Sequence, residues 1–445
     1  MRFPASSMAH GLVVPRLRVV LVVVLALLAR QAAAQRVPAA APDSVVLLAP
    51  DRVFTGTEDQ AHAGWVVLVR GDRIAAVGPR DRVDVPTGTR RIDLPGATLL
   101  PGFIEGHTHL FLHPYDETSW NDQVLKESLS LRTARAVNHA GNTLRAGFTT
   151  ARDLGTEGAG YADHGLRQAI EQGIIPGPRL LIASKAIVAT GSYGPAGYAS
   201  EWDVPQGAQQ ADGAEGLARA AREQIGHGAD WIKVYADYRW GPSGEARPTF
   251  SEAELRTLVE VAASSGRKVA AHAATAEGML RAVRAGVATI EHGDAGTPEI
   301  WKLMAERQVG YCPTLGAVEA TARHAGWTPG QPPTPRMTQK HAALRAAIAA
   351  GVPICVGGDT GVFAHGDNAW EMELLAAAGM PPAAVLRAAT SVNARLLGMS
   401  DRVGTIAGGM LADLVAVEGD PLQVIGAVRR VRLVMQAGRI VDRQR

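Results

Sequence analysis

Between Thr98 and Val356, short apolar strand-like runs alternate with Ala-rich amphipathic stretches, which restricts the chain to parallel βα units. The runs are Thr98 to Ile104, Phe148 to Arg152, Arg179 to Ala183, Trp231 to Tyr235, Val269 to His272, Ala288 to Glu291, Gly310 to Cys312 and Pro353 to Val356. Eight such units predict an α/β fold, the (β/α)8 TIM barrel, whose βα loops gather at the C-terminal ends of the strands. One helix boundary is explicit. Ser251 with Glu254 three residues later forms a capping box, and the helix should stop near Gly266.

The flanks read differently. Ser44 to Leu48, Trp65 to Val69 and Arg73 to Gly78 are short β runs broken by turns, and Ala412 to Val417 and Val431 to Met435 repeat that character. Together they predict a small composite β-sandwich domain built from both ends, residues 43–96 and 399–445, around a barrel over 97–398. Ahead of it, Arg16 and Arg18 precede an apolar run from Val19 to Ala29, and Ala32 to Ala34 offer a cleavage site before Gln35. That run is far short of the roughly 20 residues that span a bilayer. Residues 1–34 are thus expected to be a signal peptide, 35–42 a Pro/Ala linker, and the mature protein periplasmic or secreted, with no membrane contact after cleavage.

Hydrophobic residues make up 47% and charged residues 20% of the 445, enough apolar material for one large domain and a smaller one. A net charge of +2 with no basic stripe or acidic tail excludes nucleic acid and anionic membranes as natural partners and leaves small-molecule substrates, with a homo-oligomer open. Cys312 and Cys355, both in apolar runs, are expected to be buried and unpaired, a bridge between neighbouring strands being the minor alternative.

The chemistry begins at Gly106-His107-Thr108-His109, where a strand-like run ends in His-x-His. Side chains two apart on a strand share a face, and two imidazoles there suit a borderline metal such as Zn²⁺. Taken alone the pair could equally be two satisfied polar histidines. However, other strand ends carry Lys233, His272, His292 and Asp359, and six such residues at one mouth point to a metal site.

This set resembles the amidohydrolase superfamily, with its His-x-His after strand one, lysine after strand four, histidines after strands five and six, and aspartate after strand eight. The segment Gly404 to Val415 and the composite β domain are similar to that family too. The resemblance implies the dinuclear type: His107, His109 and Asp359 on one divalent ion, His272 and His292 on the other, and Lys233, carboxylated by CO2, bridging both. Zn²⁺ is the default, while Mn²⁺, Fe²⁺ or Co²⁺ suit similar ligands. Mononuclear relatives such as imidazolonepropionase lack the lysine.

The expected reaction is hydrolysis of a C–N amide bond by metal-activated hydroxide, with Asp359 moving the proton. Relatives of this kind act as dipeptidases or carboxypeptidase-like enzymes on dipeptides, N-acyl amino acids or ochratoxin-type amides. A cyclic amide, lactone or phosphotriester on the same metals is the alternative; a non-catalytic metal binder would require a missing ligand or base. Tyr235, on the face of Lys233, could donate to an oxyanion or substrate carboxylate, or simply pack. Tyr193 stands where dipeptidase-like relatives have the histidine of a Gly-Gly-His-Gly turn; it can still donate a hydrogen bond to an oxyanion or contact substrate, but it cannot act as a cation near pH 7. His365 is expected to contact substrate or to hold its loop. Arg152 and Asp153 are expected to form an internal ion pair.

Overall fold

The computed structural model describes residues 44–441. The expected signal peptide and linker lie outside the described residues. Among the described residues no helix is long and apolar enough to cross a membrane.

Both ends of the chain share one mixed sheet. Its main strands are β1 (Val45–Val53), β2 (Trp65–Arg70), β3 (Arg73–Pro79), β4 (Arg90–Pro101) and, from the far end, Leu414–Glu418 and Val431–Gln436. β4 is the keystone: it runs parallel to β1 on one side and antiparallel to Leu414–Glu418 on the other. Leu48, Val67, Leu99 and Leu414 pack on one face of the sheet, and Leu47, Val66 and Leu68 on the other. The strands thus form a single sheet, where a sandwich of two was expected.

The expected first barrel strand, Thr98 to Ile104, is two strands. Thr98–Pro101 complete β4, and β5 (Phe103–Thr108) starts the parallel system. The break falls at Gly102, where an added Cβ would lie 2.2 Å from Thr149 Oγ1, so only glycine fits. The sheet of the two ends therefore extends to Pro101 instead of residue 96.

The remaining parallel strands are β6 (Phe148–Asp153), β7 (Arg179–Ile182), β8 (Trp231–Tyr235), β9 (Lys268–Ala273), β10 (Thr289–His292) and β11 (Gly310–Cys312). They form two ladders, β5-β6-β7 and a second containing β8-β9-β10-β11, and not one continuous barrel ladder. A few backbone hydrogen bonds connect the edges, among them Asp230 N to Ile182 O at 2.8 Å, Cys355 N to Tyr311 O at 2.8 Å, and Gly106 N to Val356 O at 2.8 Å. The expected eighth strand, Pro353 to Val356, makes only an isolated bridge at Ile354. Pro353 has no N–H to donate, which weakens a ladder there. The helices pack outside on an apolar core that includes Ile232, Val269, Ile290, Leu344 and Val356. Ser251 and Glu254 form the expected capping box, and that helix ends at Ser264, ahead of left-handed Gly266.

The two cysteines do not stay unpaired. Cys312 and Cys355 lie on adjacent segments with Cα atoms 4.6 Å apart, and they form a disulfide. Neighbouring-strand cysteines at that separation need no backbone movement to join, so the minor alternative is the one realised. Closing a loop of 43 residues is expected to contribute about 4 kcal/mol. Denaturant melts of the Cys312→Ala/Cys355→Ala protein should show a loss of that order; an unchanged midpoint would remove the bond from the list of stabilising features.

Candidate metal-dependent active site

Five of the six residues singled out as ligands line one cavity at a mouth of the parallel strands, and the sixth, Lys233, is not among its lining residues. His107 ends β5 and His109 follows it, Lys233 is central in β8, His272 is near the end of β9, and His292 ends β10. Asp359 follows the Pro353–Val356 segment, its N–H donating to His107 O at 2.9 Å. His109 Nε2 lies 3.1 Å and His107 Nε2 3.5 Å from Asp359 Oδ1, and the two Nε2 atoms are 3.3 Å apart. One ligand atom each from His107, His292 and Asp359 falls within 4.8 Å of the others. The His272 ring lies 4.4 Å from that of His292, so His292 stands between the two groups.

The far side of three of the four rings is already engaged; the fourth, His272, has its Nε2 3.8 Å from Asp237 Oδ1. Nδ1 of His107 meets Glu291 Oε2 at 2.8 Å, that of His109 meets Gly155 O at 2.8 Å, and that of His292 meets Thr314 Oγ1 at 2.8 Å. Partners on Nδ1 leave Nε2 as the free lone pair, the arrangement that orients imidazole ligands. His292 (φ 73°), Thr314 (φ 54°) and Asp359 (φ 62°) are all left-handed non-glycine residues, and strain concentrated in this way marks functional sites.

Electrostatics follow burial and proximity. Burial, helped by the Lys233 charge, lowers His107 to about 4 and His272 to about 3, so both are neutral donors at neutral pH. Burial works the same way on His109, but its bond to Asp359 outweighs it and raises it to about 9. Burial would raise Asp359; the charges of His107 and His109 instead hold it well below the usual carboxylate range. Lys233 is buried and, among the described residues, makes no hydrogen bond or ion pair; burial lowers it to about 8. This donor set fits divalent cations: neutral imidazoles at His107, His272 and His292, a fourth at His109 that would give up its proton to a cation, an ionised carboxylate, and a buried amine, unpaired among the described residues, whose carboxylation would remove an unfavourable charge.

The site opens into a cavity of about 470 Å³ lined by His107, His109, His272, His292 and Asp359 together with Tyr193 and Tyr235. His365 is not among its lining residues. It is buried with Nε2 on Leu112 O at 3.1 Å and its ring stacked on His139, the loop-holding arrangement of the two expected of it, with no place on the cavity wall. Arg152 departs from expectation. It pairs with Glu291 at 3.0 Å, while Asp153 accepts backbone N–H groups of Leu110 and Gly155. Arg152 points across the core because its guanidinium also reaches Gly106 O and Thr289 Oγ1.

Sequence reasoning missed Glu157, Tyr115, Tyr238, Arg239 and Arg336, all cavity residues. Glu157 carried a usable signal, four residues beyond the end of β6 in a strand-end loop. Tyr238 and Arg239, three and four residues beyond the end of β8, carried the same signal, whereas Tyr115, seven residues beyond β5, and Arg336, in the helix Pro335–Ala349, had no spacing to reveal them.

The Amidohydrolase family matches residues 98–441. An ochratoxinase from Aspergillus niger is 30% identical over 403 residues, covering 82% of this chain and 80% of the relative. A solved Xaa-Pro dipeptidase with methionine bound in its active site superposes with a TM-score of 0.80 at 31% identity, over 90% of this chain and all of that one. The Aspergillus niger ochratoxinase structure gives 0.75 at 27% identity, over 89% of this chain and 95% of that one. The chain therefore belongs to the amidohydrolase family, metal-dependent enzymes whose relatives imply a TIM-barrel framework. More narrowly, it is a hydrolase that acts on carbon–nitrogen amide bonds.

Proposed function

We propose that this protein is an exported dinuclear enzyme that releases the C-terminal amino acid from dipeptides or N-acyl amino acids. The observation that carries the reading is the convergence of His107, His109, His292 and Asp359 on one cavity beside the unpaired, buried Lys233. His107, His109 and Asp359 would hold one cation, His272 and His292 the other, and carboxylated Lys233 both; Zn²⁺ suits the set. A lysine lowered to about 8 has enough free amine to add CO2 with loss of a proton. When bound, two divalent cations supply a nucleophile at neutral pH and polarise the scissile carbonyl.

The chain's own residues do the rest. Asp359, ionised at neutral pH, accepts the proton of the attacking water at its carboxylate and returns it to the leaving amine. Glu291 fixes the His107 ring through Nδ1, and Thr314 fixes His292. Arg239, exposed on the cavity lining and without an ion pair among the described residues, is placed to meet the carboxylate of the released amino acid. A closed (β/α)8 barrel with the sheet of the two ends as a separate domain, and a periplasmic or secreted location, belong to the same reading. The Cys312–Cys355 bond supports that location, because disulfides persist in oxidising compartments.

The test is amino-acid release by metal-loaded protein from Xaa-Pro, Xaa-Leu, Xaa-Phe and N-acyl amino acids, with metal content measured beside a Lys233→Ala control. Release by the wild type and its loss in the control, together with loss of bound metal, is expected. With two metals verified, silence on every amide would transfer the reading to lactones, cyclic amides or phosphotriesters.

A further inference from the structure

Glu157 lines the cavity yet is only 2% exposed, and it is held in left-handed backbone at φ 48°. Its carboxylate is met by neutral donors: Tyr193 Oη at 2.5 Å and Trp120 Nε1 at 3.0 Å on Oε2, and Tyr235 Oη at 3.4 Å on Oε1. Among the described residues it forms no ion pair. Arg132, whose charge it feels, aims Nε and Nη2 at the carbonyls of Phe111 and Thr156 instead. A buried carboxylate with no cation in contact is costly, even with the charges of Arg132 and His109 acting on it from a distance. One that borders a cavity invites a positive ligand.

The hydrogen-bond directions agree. Each tyrosine donates its proton to Glu157, so toward the cavity the phenol oxygens have only lone pairs to offer, and they can accept from a ligand but not donate to it. The rings of Tyr193, Tyr235 and Tyr238 pack around this point with centroids 4.9 to 5.7 Å apart, and aromatic faces attract cations. Carboxylate, phenol lone pairs and ring faces all favour an ammonium group.

We propose that Glu157 and the tyrosines around it bind the free α-ammonium of the substrate's N-terminal residue, so that the enzyme selects dipeptides over N-acyl amino acids. This deepens the amide-hydrolase reading and rests on it. A neutral acyl group entering the same place leaves Glu157 uncompensated and the phenol oxygens without a donor, and rejection of a ligand that strands buried polar groups is the stronger form of selectivity.

The test compares Ala-Phe with propionyl-Phe, which differ only in the amine, and the same pairs ending in proline and leucine, in the wild type and Glu157→Gln. The wild type is expected to favour the aminoacyl member by about 10–100-fold in kcat/KM, the worth of a charge-assisted hydrogen bond. Glu157→Gln should erase most of that preference, chiefly through KM. An equal fall on both members would make Glu157 a positioning residue for the tyrosines and overturn the proposal, as would a wild type that prefers the propionyl amide. Calorimetric binding of alaninamide against propionamide to the metal-loaded wild type requires no turnover. If no amide is hydrolysed, the functional reading fails, while tighter binding of alaninamide would still uphold the ammonium site and equal binding would dismiss it.

Discussion

Asp359→Asn is expected to lower kcat for amide hydrolysis by about 10²–10⁴-fold, the usual contribution of a positioned general base. The amide keeps the shape of the side chain but can neither accept the water's proton nor return it to the leaving amine. Because Asp359 Oδ1 also sits 3.1 Å from His109 and 3.5 Å from His107, metal content must be measured in the same preparation. A variant that holds both metals and retains near wild-type kcat would end the base assignment. Loss of metal alone would make Asp359 first a ligand. The left-handed φ of 62° at Asp359 should persist in the asparagine variant, since asparagine tolerates that region well.

Arg152→Ala is expected to cost about 3–5 kcal/mol of unfolding free energy, the range for removing one partner of a buried pair. Arg152 and Glu291 are both fully enclosed, and the truncation leaves a buried carboxylate whose remaining partners are His107 Nδ1 and Thr289 Oγ1. Burial would raise Glu291, but the charge of Arg152 and the bond to His107 hold it at about 2. A folded-state value below the unfolded one means that this stabilisation is complete above about pH 4.5 and is lost as pH falls toward 2. Denaturant melts at pH 7 and pH 3 should therefore show a smaller gap between variant and wild type at the lower pH. A loss under 1 kcal/mol at pH 7, or a gap that widens on acidification, would contradict this account. Since Glu291 also steadies His107, metal affinity in the variant should fall by about 10–100-fold.

The sequence carried the chemistry at strand ends well and the long-range partners poorly. His107, His109, Lys233, His272, His292 and Asp359 were legible because each follows an apolar run, and the parallel strands bring such ends to one mouth. The partner of Arg152 was not, because Glu291 lies 139 residues away and only the packed core makes them neighbours. Cys312 and Cys355 misled for a related reason: two apolar runs give no sign that they will lie side by side. The split at Gly102 depends on Thr149 pressing against it, a contact without local signature. His365 resembles a cavity residue in sequence, yet one turn of its loop directs it onto Leu112 and His139.

The pairing of β4 with Leu414–Glu418 also sets an order of events in biosynthesis. Leu99 and Leu100, paired with Ala416 and Val415, have no antiparallel neighbour until more than three hundred further residues have been made. A nascent chain must therefore wait with that apolar edge open, and contacts so distant in sequence form slowly. A chain truncated before Leu414 would keep the whole ligand set but present β4 as an unpaired edge, ready to pair with another copy. Residues 414–441 contribute nothing to the cavity, and without them the enzyme is expected to aggregate before it ever meets a substrate.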